Sequence, residues 1–245
     1  ANKDVYVVTA AKMFNKPEDS VDKTMRQSGK IAELALQFGG SHNALIGMGR
    51  NYGVTFSEEE AKTNVVKWRK VNPWAVSIWN EYERVIKKAV RNPGVPYGVG
   101  RVVFLNINKQ FLSCTLPSGR ELAYPWPRYE KYATPWGEER VGATFQTTMC
   151  VKEGEKDVWI RNFLRGALIF QNTVQAVAAD ILREALVRAD AAGLSILGSV
   201  HDEILIEGSY ADGERLNEIM LETPSWAEGL PLATGGVVWG KRYGK

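Results

Sequence analysis

Three short stretches of this sequence carry residue types that could do chemistry together. The first is Val200-His201-Asp202-Glu203, an imidazole and two adjacent carboxylates between apolar runs. Acids held rigidly at the tip of a hairpin suit a divalent cation, because Mg2+ takes oxygen ligands and draws few of them from protein. Two such ions, about 4 Å apart and bridged by carboxylates, can drive an in-line displacement. A plain polar turn has the same composition, so His201 and Asp202 alone leave both readings open. In the second stretch Arg26, Lys30, Leu34 and Phe38 recur every fourth residue along one helix, forming a slowly drifting stripe. Its cationic start, near a helix N-terminus, attracts phosphates, and its apolar end suits a sugar and a base. A solvated basic turn followed by two core residues gives the same spacing. The third is Asn172, Gln175 and Ala179, a narrow polar line on an otherwise apolar helix. Asn and Gln both donate and accept, which suits nucleic-acid edges or the ordering of neighbouring groups, and equally a helix face satisfied by water.

The elements that must position these residues are marked by local punctuation. Asn15-Lys16-Pro17 closes whatever 5–14 form, and Asp19, Ser20 and Asp22 open a helix over about 23–38 that Gly39-Gly40 ends. Ser57-Glu58-Glu59-Glu60 is a capping box for a helix to about Val71. Pro73 starts another, to about Arg91, with Trp74, Ile78, Trp79, Tyr82, Val85, Ile86 and Val90 at helical spacing. From Gly98 the pattern turns to strands, over 102–105 and 110–116, with a turn at Pro117-Ser118-Gly119. Residues from Tyr124 on are expected to be a long irregular insertion, about 124–157. A long helix is predicted over about 158–192, two short strands flank His201-Asp202 within 194–207, and a last helix covers 215–221. The fold class is therefore α+β: a helical part at about 1–95, then a part at about 96–245 with antiparallel strands, the 200–203 hairpin and a C-terminal strand.

Composition narrows the partners. The 245 residues are 44% hydrophobic and 24% charged, ordinary for a folded chain with a sizeable core. Residues 1–100 carry 15 Lys/Arg against 10 Asp/Glu, and the rest 16 against 18, so the basic excess sits in the first part and fits a phosphate-bearing partner. Cys114 and Cys150 form no C-x-x-C or Cys/His cluster, which argues against a disulfide framework or a zinc site. No apolar run is long enough to span a membrane, and Ala1-Asn2-Lys3-Asp4 lacks signal-peptide character, so the expectation is a soluble protein of a reducing, intracellular compartment. With 8 Trp and 9 Tyr, several beside Pro or charge as in Tyr124-Pro125-Trp126-Pro127-Arg128, a surface that stacks on a partner is expected.

In order and spacing these stretches resemble the fingers and palm of family A DNA polymerases, in their phage-type, DNA polymerase I-like form. Asp4-Val5-Tyr6-x-x-x-Ala10-x-x-x-Phe14 looks like the segment after the first catalytic motif, and Arg26 through Gly40 looks like the nucleotide-binding helix. Leu116-Pro117-Ser118-Gly119-Arg120-Glu121-Leu122-Ala123-Tyr124 resembles a stretch typical of the phage subgroup. Asn172-Thr173-Val174-Gln175-Ala176 with Ala179-Asp180-Ile181-Leu182 resembles the long palm helix, Val200-His201-Asp202-Glu203 the last catalytic motif, and Lys241 through Lys245 the subgroup's terminus. Leu168 and Gln171 depart from the charged residues of that subgroup, and Leu34 stands where many relatives have an aromatic ring.

The resemblance implies fingers-like helices at 1–95, a palm-like part at 96–245, and right-hand polymerase architecture in part. Arg26 and Lys30 should contact a triphosphate, Leu34 the sugar or base, and Phe38 the nascent pair beside the template base. Asp202 should hold a catalytic metal with Glu203 nearby and His201 close to the primer terminus, while Asn172 and Gln175 touch primer–template. The implied chemistry is addition of dNTP to a primer 3′ hydroxyl with two Mg2+ ions, in a bacterial or phage-infected cytoplasm. The first catalytic motif has no counterpart here, so the expectation is a split or truncated enzyme that needs a carboxylate and thumb from a second polypeptide or an upstream segment. The rival expectation is a non-catalytic nucleic-acid-binding remnant whose affinity comes from the basic first 100 residues.

Overall fold

The computed structural model describes residues 4–133, 137–149 and 158–243. Contacts divide the chain into two compact units, Ala1–Cys114 with Ala123–Asn172, and Thr115–Leu122 with Thr173–Lys245. Helices give way to strands at Tyr97, one residue before the change of pattern read at Gly98, and the two units are not divided at that point.

The first unit opens with five helices, α1 (Val5–Phe14), α2 (Lys23–Leu36), α3 (His42–Asn51), α4 (Glu58–Val71) and α5 (Pro73–Arg91). The starts of α1, α2 and α4 follow from side-chain caps for otherwise unpaired amides: Asp4 accepts from Tyr6 and Val7, Asp22 from Met25, and Ser57 with Glu60 forms a reciprocal capping box. Pro73 occupies the first turn of α5, where its missing amide costs nothing. Ile31, Leu36, Leu45, Trp68 and Trp79 are buried together, and the Trp68 and Trp79 rings stack at 6.1 Å. The α3 helix has no counterpart among the expected elements. Its Gly47 and Gly49 lower helix propensity, and it forms because Leu45 joins the core formed with α2 and α4.

Helices α1 and α2 lie close together at Gly29, where a Cβ would meet the Tyr6 carbonyl oxygen at 2.3 Å and the Ala10 amide at 3.1 Å. Both are backbone atoms, so neither can rotate away. Gly29→Ala is therefore expected to force the helices apart and lower stability by about 3 kcal/mol, read as a shift in the urea midpoint at unchanged slope.

Two sheets follow. Strands β1 (Tyr97–Val99), β2 (Val102–Ile107), β3 (Phe111–Thr115) and β4 (Glu121–Pro125) pair in that order. Strands β5 (Arg128–Ala133), β6 (Glu139–Met149) and β7 (Val158–Phe163) form an antiparallel sheet with β6 in the centre. Much of the stretch expected as an irregular insertion at 124–157 is thus ordered strand; residues 134–136 and 150–157 lie outside the described ones. The Pro and Gly content masked a period-two pattern in which Ala143 and Phe145 turn to the core while Arg128, Glu130 and Tyr132 share the other face. Residues 158–163 are likewise strand and not the start of the long helix. Trp159 and Ile160 are β-prone and pair with Thr148 and Thr147. The helix α6 (Gly166–Ala191) begins only after them, at a glycine whose Cβ would meet the Trp79 carbonyl oxygen at 1.9 Å.

In the second unit the later turns of α6 are followed by β8 (Ser195–Val200), β9 (Glu203–Glu207) and α7 (Tyr210–Leu221). Ala189, Leu194, Leu216 and Ile219 form its small core. The expected C-terminal strand is not found among the described residues. Beyond Leu221 there is one short 3-10 turn, Ser225–Ala227, and the β-prone Val237-Val238-Trp239 stays unpaired, with Val238 93% exposed. Gly229, Gly235 and Gly236 with Pro231 interrupt that segment. The α+β class stands.

Candidate functional site

The basic stripe lies in the first unit. Arg26 and Lys30 sit on the first turns of α2, Leu34 near its end, and Phe38 two residues past the helix, which stops at Leu36. Neither cation is a bare solvated charge. Arg26 donates from Nε to Asp4 Oδ2 at 2.8 Å and lies 5.4 Å from the Tyr6 ring centre, and Lys30 Nζ lies 4.7 Å from that of Tyr52. The Arg26 guanidinium holds the Asp4 carboxyl below its ordinary range, so Asp4 stays ionised and engaged at neutral pH. This contact is present above the ordinary carboxylate pKa and is lost as pH falls through the lowered value. Leu34 is half-buried, and Phe38 packs against Phe170 of α6 with ring centres 6.5 Å apart.

Glu33, which sequence reasoning passed over, fixes where that stripe points. Its Oε1 accepts from the Thr9 hydroxyl of α1 and from Trp68 Nε1 of α4 at 3.1 Å, tying three helices to one carboxylate. No local signal marked it. Partners 24 and 35 residues away are visible only in the fold.

Asn172 and Gln175 lie three residues apart on α6 and so share a side of that helix. Asn172 Nδ2 donates to Tyr124 Oη at 3.3 Å in the first unit, which fixes the amide. Burial pushes the Tyr124 phenol well above its ordinary range, so it remains a neutral hydroxyl. Gln175, in the second unit, is exposed, and Ala179 is half-buried.

The acidic hairpin is also in the second unit. Val200 pairs with Glu203, leaving His201 and Asp202 as the two turn residues, both exposed. His201 takes the left-handed conformation, φ 56°, at the first turn position, where a hairpin of this length needs positive φ and usually glycine. An imidazole kept there costs backbone strain. An extra residue in β8, Leu197, bulges between Ile196 and Gly198 and adds local twist. Glu203 accepts from the Tyr243 hydroxyl at 3.1 Å, whereas Asp202 makes no hydrogen bond or ion pair among the described residues. His201, Asp202 and Glu203 are thus brought together, in a unit other than that of Arg26, Lys30, Leu34 and Phe38. Among the described residues no group of three or more His, Cys, Asp or Glu is placed to hold a metal.

A second residue that sequence reasoning left without a role is Asp180 of α6, 7% exposed. It accepts from Ser118 Oγ at 2.6 Å and Arg120 Nε at 2.5 Å and pairs with Arg183 at 3.3 Å. Arg120 also donates from Nη2 to the Ala176 carbonyl at 3.0 Å, so the 116–120 turn is clamped to the helical turn that carries Gln175.

No protein-family model matches the chain. Among curated proteins it is 36% identical over 239 residues, 96% of its length, to the DNA polymerase of Bacillus phage SP02. It spans about a third of that relative, 35%. Among solved structures, the POL domain of Pol1 from M. smegmatis, in complex with DNA primer-template and dNTP, aligns with 89% of this chain and 30% of its own. Its TM-score is 0.47 and its identity 19%. No helix among the described residues is long and apolar enough to cross a membrane. The similarity to the phage SP02 polymerase runs through nearly the whole of this chain and aligns it with one part of that relative.

Proposed function

We propose that this chain is the nucleotide-binding and catalytic-hairpin part of a family A DNA polymerase and serves DNA-templated addition of deoxynucleotides to a primer. The similarity to the phage enzyme over 96% of the chain carries the proposal. In the reaction the primer 3′ oxygen bonds to the α-phosphorus of a dNTP, the bond to the β-phosphate's bridging oxygen breaks, pyrophosphate leaves and the hydroxyl proton goes to solvent. Arg26 and Lys30 draw the triphosphate to α2, Leu34 meets its sugar or base, and Phe38, braced by Phe170, lies beside the template base. Asn172 and Gln175 hold primer–template from α6, and His201 stands near the primer terminus.

Asp202 is the proposed metal ligand, and its donor chemistry fits: an exposed carboxylate on a two-residue hairpin turn, with no protein partner among the described residues and Glu203 next to it. One or two carboxylates plus phosphate oxygens are what Mg2+ ordinarily takes. Bound there, Mg2+ would neutralise charge on the phosphates and acidify the 3′ hydroxyl. A pair of ions needs a further carboxylate, which we assign to a segment or second polypeptide beyond these 245 residues. Primer extension by the natively purified protein with Mg2+, with partners read by native mass spectrometry on the same sample, tests the proposal. Extension by an assembly that contributes the further acid supports it. A protein that binds primed DNA but never extends it overturns it in favour of a binding module.

Asp4 competes with the triphosphate for Arg26. Asp4→Asn keeps an oxygen to cap α1 but removes the charge, and it is expected to tighten dNTP binding by about two- to five-fold at low salt. Titration calorimetry on both proteins checks this, and unchanged affinity would mean that Arg26 does not meet the phosphates.

A further inference from the structure

The β5–β7 sheet displays an aromatic surface that the polymerase reading leaves unused. Trp126 and Trp159 are 45% and 56% exposed, and their rings meet edge to face at 5.6 Å. Trp126 is also held in the left-handed region, φ 45°, a conformation costly for a bulky side chain. Prolines flank it on both sides, its amide donates to the Gln110 carbonyl at 2.7 Å, and its own carbonyl accepts from Arg161 Nη2 at 3.0 Å. Backbone strain maintained from two directions to keep an indole in water runs against burial, and such strain gathers at binding sites.

Beside Trp126 in the chain lies a cleft of about 290 Å3 lined by Arg91, Lys109 and Arg128 and by one acid, Glu130. That acid is already neutralised by Arg161 at 2.8 Å. The cleft is built on ordered parts: fully buried Asn106 accepts the Lys109 amide at 3.0 Å and donates to the Val90 carbonyl at 3.0 Å, and Arg91 stacks over Tyr129 at 5.1 Å. Three cations and two exposed indoles in one unit call for a ligand that alternates anionic groups with flat rings at short spacing. Single-stranded nucleic acid has that chemistry, and its unstacked bases are free to pack on indole. An acidic peptide supplies the charge without the rings.

We propose that Trp126, Trp159 and the cleft of Arg91, Lys109 and Arg128 bind single-stranded DNA, such as the unpaired part of a template. The choice of DNA rests on the polymerase reading; the stacking site does not.

The test is fluorescence anisotropy of the full chain with a labelled oligo-dT of about fifteen nucleotides, without dNTP or Mg2+. Trp159→Ala is expected to weaken binding about ten-fold, Trp159→Phe to restore most of it, and an abasic oligonucleotide to bind as weakly as dT binds Trp159→Ala. Lys109→Ala and Arg128→Ala should each flatten the log–log salt dependence by about 0.7. Wild-type dT affinity in Trp159→Ala, or equal affinity for the abasic strand, overturns the proposal. So does self-association that Trp159→Ala abolishes while dT binding is unchanged, which would make the surface a protein contact. Failed primer extension with Trp159-dependent dT binding intact defeats the polymerase reading alone; normal extension with dT binding indifferent to Trp159 defeats this one alone.

Discussion

Asp202→Asn is expected to lower primer extension by about three orders of magnitude while leaving affinity for primed DNA within about two-fold, in whatever assembly the protein extends primers. Asparagine keeps the size and turn preference of aspartate but removes the charge that a divalent cation requires, and several kcal/mol of transition-state stabilisation go with it. The fold should not register the change, because Asp202 is exposed at the hairpin tip with no side-chain partner among the described residues. Single-turnover extension on a primed template, with anisotropy on the same DNA, separates the two quantities. Extension at the wild-type rate would remove Asp202 from the chemistry and leave the hairpin as a structural turn. Loss of binding and extension together would show that the tip mainly contacts DNA.

What the sequence revealed depended on how far each constraint reaches along the chain. The α4 and α5 helices were legible because Ser57 with Glu60 and Pro73 are signals within one turn. The 201–202 turn was legible because two apolar runs bracket it. Helix α3 was not, since it owes its existence to Leu45 reaching a shared core and not to its own glycine-bearing sequence. Strands β5 to β7 were hidden by the Pro and Gly around them and because the face opposite Ala143 and Phe145 is polar: Glu130, Thr144 and Arg161 form an internal ion-pair and hydrogen-bond network where simple alternation would show apolar residues. In the candidate site the α2 stripe could be read at four-residue spacing. Its controls, Asp4 on Arg26 and Glu33 between Thr9 and Trp68, join residues at least 22 positions apart and leave no periodic trace.

Arg120→Ala is expected to destabilise the second unit by about 3 kcal/mol, a larger effect than its 34% side-chain exposure suggests. The reason is the group it leaves behind. Asp180 is 7% exposed, and its carboxylate is tolerated there because Ser118, Arg120 and Arg183 surround it. Arg183 is 63% exposed and more distant, at 3.3 Å, so without Arg120 a nearly buried charge keeps one hydroxyl and one screened cation. Arg120→Lys should recover only part of the loss, because an ammonium cannot reproduce the fork that reaches both Asp180 and the Ala176 carbonyl. Ser118→Ala, which removes a single neutral donor to the charge, should cost about 1.5 kcal/mol, and the double variant should cost less than the sum because both act on one carboxylate. Urea unfolding of the wild type and the four variants checks the series. An Arg120→Ala cost below about 0.5 kcal/mol would mean that solvent reaches Asp180 once the guanidinium is gone. The clamp also fixes the helical turn that carries Gln175, so primer extension by folded Arg120→Ala, at a temperature where the unit is intact, separates its two consequences. A reduced rate there assigns the 116–120 turn to positioning Gln175, and an unchanged rate confines it to stability.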